Sequence, residues 1–356
     1  REEAAARQYY GATLSSADRS AEALVQLEKA YALRTSLLGP DDLDTSLTAM
    51  TLGNALWKVG RLEEARRFHE AAVRSRESAL GREHPALIAP LANLGVTEEA
   101  LGNLAEARVA WSRSLALIET NLSKDHPNAA ALHANLASLE IAVGDLAAAR
   151  RHSEAALRIA RATYGADHPD TALIQSNYTD LLVKQGELDA AEAALREALA
   201  ATERSVGADH SNHATIGVTL GRLLRHRGRA DEARADLERA LATLERSLGA
   251  GHPRVAEGLL ELAALDLAAD DLDAALARLE RAVTLIEAAE VKPEERGRIV
   301  FALARALAEH RREPARAAAL LARAEELSQQ SGLTGAELRA EIAAWKLVHP
   351  AAAPPP

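Results

Sequence analysis

Histidine is the residue whose spacing in this chain first suggests chemistry. Five histidines recur every 42 positions: His84, His126, His168, His210 and His252. Imidazole is a common metal ligand and general base, so a phased set invites a metal-binding reading. The spacing opposes it. Residues a full step of 42 apart are held far beyond the about 2 Å of a metal–nitrogen bond. His210 and His213 stand three apart and could reach one ion, but no third ligand accompanies them. Four of the five are followed by proline: Pro85, Pro127, Pro169 and Pro253. Proline fits the first helical position, where its missing N–H costs nothing. The expected role of these histidines is to end a loop and cap a helix. No metal and no cofactor is expected.

Catalytic signatures are equally absent. The chain has no HExxH, no phosphate-cradling glycine loop and no nucleophile elbow. Gly249-Ala250-Gly251 reads as a joint. Most carboxylates alternate with arginine, as in Glu238-Arg239 and Glu245-Arg246, which is the pattern of a solvated helix face. The glycosylation sequons at Asn121 and Asn177 fall inside the repeating framework and are expected to be accidental. The chain is not expected to be an enzyme.

What must position these residues is a repeating element. A glycine ladder, Gly60, Gly102, Gly144, Gly186 and Gly228 with Asp270 next, keeps the same step as the histidines. A period of this size denotes stacked units rather than one globular core. In the unit from Gly81 to Leu122, apolar residues at helical spacing run from His84-Pro85 to Leu101, and Gly102 stops that helix. A second helix follows from about Leu104 to Leu122; about 17 residues make a helix about 25 Å long. Pro90 falls inside the first helix and predicts a late start or a mild kink. The second helices carry small residues at Ala23, Ala65, Ala107, Ala149, Ala191, Ala233, Ala275 and Ala317. They repeat seven positions on, at Ala30, Ala72, Ser114, Ala156, Ala198, Ala240, Ala282 and Ala324. Such pairs let neighbouring helices approach closely. The first helices carry Gly11, Gly53, Gly95, Ala137, Thr179, Gly221 and Ala263 in one phase. The preceding position is mostly large and apolar: Leu52, Leu94, Leu136, Tyr178, Leu220 and Leu262.

Together these marks resemble the tetratricopeptide repeat (TPR). The common unit of that family is about 34 residues. The longer unit here, with joints at Leu38-Gly39, Leu80-Gly81, Tyr164-Gly165, Val206-Gly207 and Leu248-Gly249, is similar to the kinesin-light-chain type. The resemblance implies an all-α fold: a right-handed α-solenoid of about eight helix-turn-helix units over 1–333. The units fall near 1–38, 42–80, 84–122, 126–164, 168–206, 210–248, 252–290 and 294–330. In the eighth, Leu303-Ala304 sits one residue early, which predicts a longer turn. A capping helix is expected over 334–349, with Trp345 on its apolar side, and a disordered tail over 350–356.

In the resembled family the first helices line a concave surface that takes an extended peptide or a partner helix. Its polar positions map by phase onto Asn93, Asn135 and Asn177, with Thr51, Thr219 and Glu261 in their place elsewhere. An amide both donates and accepts, which suits a peptide backbone. Asn54, Trp57, Lys58, Lys184, Arg222, Arg225 and His226 are further groove candidates. The run from Arg222 to Arg229 is locally basic and predicts a preference for acidic side chains or a carboxylate. The alternative is that the asparagines only brace helix against helix and the arginines are solvated.

Composition bounds the rest. The chain of 356 residues is 48% apolar and only 3% aromatic, which favours helix contacts over strands. Its net charge of −10 disfavours nucleic-acid binding. It has no cysteine, which excludes disulfides. No apolar run approaches the ~20 residues of a membrane span, and no signal peptide is visible. The expected function is a monomeric protein–protein interaction scaffold with a protein or peptide ligand, cytoplasmic unless a membrane helix upstream places it outside. An alternative arises because the chain starts at Arg1 and its Ala- and Arg-rich units resemble the C-terminal arrays of bacterial, notably myxobacterial, serine/threonine protein kinases. On that view the chain is the sensor or docking region of a larger signalling enzyme. A self-assembling solenoid is a third reading, opposed by the expected cap.

Overall fold

The structure is a computed structural model that describes residues 1–17, 19–287, 291, 293–331 and 335–349. The tail expected over 350–356, and Thr334 at the expected start of the cap, lie outside the described residues. The described residues form helices and turns with no strand. First (A) helices are α1 (Glu2–Ser16), α3 (Leu43–Lys58), α5 (Ile88–Ala100), α7 (Pro127–Val143), α9 (Pro169–Lys184), α11 (Ser211–His226), α13 (Arg254–Ala268) and α15 (Pro293–Glu309). Second (B) helices are α2 (Ser20–Leu38), α4 (Leu62–Leu80), α6 (Leu104–Asn121), α8 (Leu146–Tyr164), α10 (Leu188–Val206), α12 (Ala230–Leu248), α14 (Leu272–Glu287) and α16 (Pro314–Gln330). A last helix, α17, spans Ala336–Val348. The fold is an all-α solenoid of tandem helix pairs. It divides into two compact units, Arg1–Leu139 and Glu140–Pro356. Among the described residues no helix is long and apolar enough to cross a membrane.

The A helices from α3 to α13 start where a side chain satisfies one of their free N–H groups. The phased histidines do this with Nδ1. His84, His126, His168, His210 and His252 accept from the backbone N–H two residues on, at 3.1–3.2 Å. Asp42 holds the same phase and does the same with Oδ1 at 2.8 Å. Pro90 delays its helix as expected. A 3₁₀ turn, Pro85–Leu87, replaces the first helical turn, and α5 begins at Ile88. Pro90 thereby falls in the first turn, where no intrahelical bond is lost.

The turn inside each pair needs a positive φ. Gly60, Gly102, Gly144, Gly186 and Gly228 adopt 73–85°. Asp270 takes the same conformation at φ 60°, and Arg311, one residue early in phase, takes it at φ 53°. The turn between α15 and α16 is longer than each of its equivalents, by one residue in most units, as the early Leu303-Ala304 predicts.

Helices A and B of a pair pack by a glycine socket and a large side chain sixteen residues on. Leu27 fills the space over Gly11, His69 that over Gly53, Trp111 that over Gly95 and Leu237 that over Gly221. Where helix A carries Ala137, helix B carries the small Ser153, whereas in the units of Thr179 and Ala263 helix B keeps Leu195 and Leu279. A fully buried leucine such as Leu237 contributes roughly 1.5–3 kcal/mol.

Within each unit, neighbouring A helices touch one another: α1 with α3, α3 with α5, α9 with α11, α11 with α13 and α13 with α15. B helices dock on the A helix of the following repeat, as α2 does on α3 and α12 on α13. The A helices therefore form the inner row and the B helices the outer. Arginines strengthen the step between repeats. Buried Arg34 donates to the Asp44 carbonyl, and Arg76, one repeat on, donates to the equivalent Ala86 carbonyl.

Candidate functional site

The inner rows hold the polar side chains that the sequence singles out. In the first unit, α3 and α5 bring two of them together. Asn93 Nδ2 donates to Asn54 Oδ1 at 2.9 Å. Behind them lies His69 of α4, 1% exposed. Its Nε2 lies 3.0 Å from Asn54 Oδ1 and its Nδ1 lies 2.9 Å from Thr97 Oγ1. Asn54 Oδ1 can only accept, so Nε2–H donates to it and the neutral ring keeps Nδ1 as an acceptor beside the Thr97 hydroxyl, which also reaches the Asn93 carbonyl at 3.0 Å. Burial, partly offset by a hydrogen bond with the Met50 backbone, pushes the imidazole down to about 4. Asn54 and Asn93 are thus tied to the framework through His69. Asn54 stays exposed and Asn93 half-buried, so each keeps a surface for a ligand.

Asn135 on α7 is half-buried. Trp57, at the end of α3, is 39% exposed. Lys58 Nζ donates to the Ser15 carbonyl at 2.7 Å, which joins the ends of α3 and α1.

In the second unit Asn177 is exposed on α9. The basic run on α11 is compensated from within. Arg222 lies 3.3 Å from Asp180, and Arg225 Nε lies 2.8 Å from Glu261. Arg227 holds Asp189 and Glu192, and Arg229 holds Glu192 and Glu232. His226 is exposed beside Arg225; desolvation first, then the Arg225 charge, lower its affinity for a proton. Lys184 pairs with Glu337 of α17 at 3.1 Å.

Residues the sequence reading did not select complete this face. Glu257 of α13 and Glu295 and Arg298 of α15 join Thr219 and Arg222 of α11 and Glu261 of α13 in lining one cleft. Charges of both signs share it. Glu257, Glu295 and Arg298 each stand at a different phase of the repeat, so periodicity carries no signal for them. His69 had a signal: it is polar at a phase that Trp111, Leu195, Leu237 and Leu279 hold elsewhere.

Among the described residues no group of three His, Cys, Asp or Glu could hold a metal ion. His210 is spent on its cap, and His213 Nδ1 lies 3.0 Å from Thr202 Oγ1.

The model of the tetratricopeptide repeat matches residues 2–78, 44–120, 128–204 and 211–288. No curated protein sequence matches the chain. Among solved structures it is similar to BtubC (BKLC) from P. vanneervenii, with 23% identity, a TM-score of 0.51, and coverage of 63% of this chain and 90% of that one. It is also similar to a Podosopora anserina protein described as a kinesin light chain with nearly identical TPR-like repeats. There the identity is 17%, the TM-score 0.35, and the coverage 68% of this chain and 94% of that one.

Proposed function

The chain belongs to the tetratricopeptide-repeat family, whose repeats mediate protein–protein interaction, and on that premise we propose a monomeric scaffold that takes a peptide or partner helix along its A helices. One observation carries this reading. Most apolar side chains are consumed in the sockets and the stack, though Tyr9, Tyr10 and Leu47 stay exposed on A helices, while the inner rows present amides, an exposed tryptophan and unburied charges: Asn54, Asn93, Asn177 and Trp57, with Glu257 and Arg298 in the cleft of the second unit. Amides recognise backbone, and the aromatic ring supplies contact area at little entropic cost.

The charge pattern refines the ligand. Arg222 and Arg225 already hold carboxylates, so an acidic ligand must exchange with Asp180 or Glu261. A segment carrying both signs matches Glu257 and Arg298 better than a purely acidic one.

An affinity capture from the source organism's lysate tests the groove. Its two baits are this chain and the triple variant Asn93→Ala, Asn135→Ala, Asn177→Ala, matched for helicity by circular dichroism. The expected result is a protein partner held by the first and lost by the second. An unchanged partner set would remove the asparagines from the binding surface.

A second reading uses the same surface inside a larger signalling enzyme such as a bacterial serine/threonine kinase. It is favoured by the Ala- and Arg-rich units and by the closing stretch, where Phe301 and Trp345 meet edge to face. A glycine-rich loop, an HRD-type loop and DFG encoded on the 5′ side of the gene would establish it.

A further inference from the structure

Lys184 ends α9, and Glu337 stands in the first turn of α17. The two are 153 positions apart in the chain, with α10 to α16 between them. Lys184 Nζ nevertheless lies 3.1 Å from Oε1 and 3.3 Å from Oε2 of Glu337. The ion pairs that brace neighbouring repeats of this unit join residues much nearer in sequence, such as Arg225 with Glu261, 36 apart.

The seat of α17 explains the reach. Its apolar face, Leu338, Ile342 and Trp345, is buried. A methyl group added at Gly297 would lie 2.7 Å from Leu338 Cδ2, so that glycine admits the helix. Trp345 Nε1 donates to Glu309 at 2.7 Å, at the far end of α15. The helix thus continues the inner row of the second unit beyond α15. Glu337 is left 83% exposed on its side chain, Lys184 37%. The row from α9 to α17 curls until its two ends meet in one ion pair.

Lys184 is among the groove cations assigned to the ligand, and its partner is the chain's own carboxylate. We propose that α17 is a latch: Glu337 stands in for a ligand carboxylate at Lys184 and holds the inner row of the second unit closed until an acidic group of a peptide displaces it. The proposal rests on the scaffold reading for its purpose, and on the contact alone for its mechanism. An exposed ion pair biases an equilibrium by no more than about five-fold. Closed and open arrangements therefore exchange, as a gate requires, and salt at about 1 M, with a screening length near 3 Å, favours the open one.

The test needs no ligand. The chain has no native cysteine, so Val183→Cys and Ala340→Cys, both exposed, accept a spin-label pair beside the contact without removing it. The expected result at low salt is a short-distance population. That population falls up to about five-fold in Lys184→Glu, in Glu337→Lys and in 1 M salt, and it returns in the double charge swap. A distance distribution that ignores salt and both single reversals would overturn the latch, as would a swap that fails to restore it. Either failure leaves the groove untouched as a binding surface, because the capture experiment reads that separately.

Discussion

His69 shows how much one side chain can carry here. Its ring is the large residue that fills the socket over Gly53, and its two nitrogens tie Thr97 to the exposed Asn54. The ring sits near 4 in the folded chain against an ordinary 6.5. The unfolded chain therefore takes up the proton first as pH falls. The stability this group contributes is complete above about pH 6.5, declines through the window down to about 4, and is flat below it. The whole change is about 3 kcal/mol. In urea unfolding, His69→Leu, the residue at the equivalent positions 27, 195, 237 and 279, is expected to lose this part of the decline between pH 7 and pH 4.5. An equal decline in both proteins would mean that His69 is not the titrating group.

At the scale of the helix, what matters is the fit of one pair and the register between pairs. The socket at Gly95 has no slack: an added methyl would lie 2.4 Å from Trp111. Gly95→Ala is expected to cost roughly 1–3 kcal/mol through overpacking. Gly251→Ala, with no neighbour within 4 Å, is expected to change stability by less than ~0.5 kcal/mol. Thermal melts of the two variants separate a packing glycine from a joint glycine, and equal melting points would refute the socket. Between repeats, one register joins Glu77 with Arg113, Arg161 with Glu197 and Glu245 with Arg281. The middle pair has its signs exchanged, so the geometry is set by the helices and not by either residue. Such pairs, half-buried to exposed, add up to about 1 kcal/mol each. Buried Asp266, gripped by Arg234 and Arg278, is costlier to disturb, because losing an arginine strands its charge.

At the scale of the whole molecule, stability is a sum over neighbours, because each helix pair is supported by the pairs beside it. Interior helices such as α11 to α14 bury apolar residues along their length. Toward the ends, Tyr9 is 80% exposed on α1 and Leu347 83% on α17. Hydrogen exchange is expected to grade accordingly, with amides of α11 to α14 slowest and those of α1 and α17 faster. Uniform protection along the chain would contradict a nearest-neighbour stack.

Features that depend on one residue and its immediate neighbours were legible in the linear sequence. The 42-residue step, the histidine caps, the glycine turns, the delayed start at Pro90 and the long turn after α15 all follow from local backbone chemistry. It acts within a few residues and repeats wherever the motif repeats. The amides were legible by phase alone, but their company was not. That Asn93 meets Asn54 over a buried imidazole, that the basic run on α11 is neutralised by carboxylates on neighbouring helices, and that Glu337 reaches Lys184 are matters of tertiary structure. Each depends on how far the stack turns from one repeat to the next. Small packing differences add up along the row, and no single unit of sequence encodes their sum.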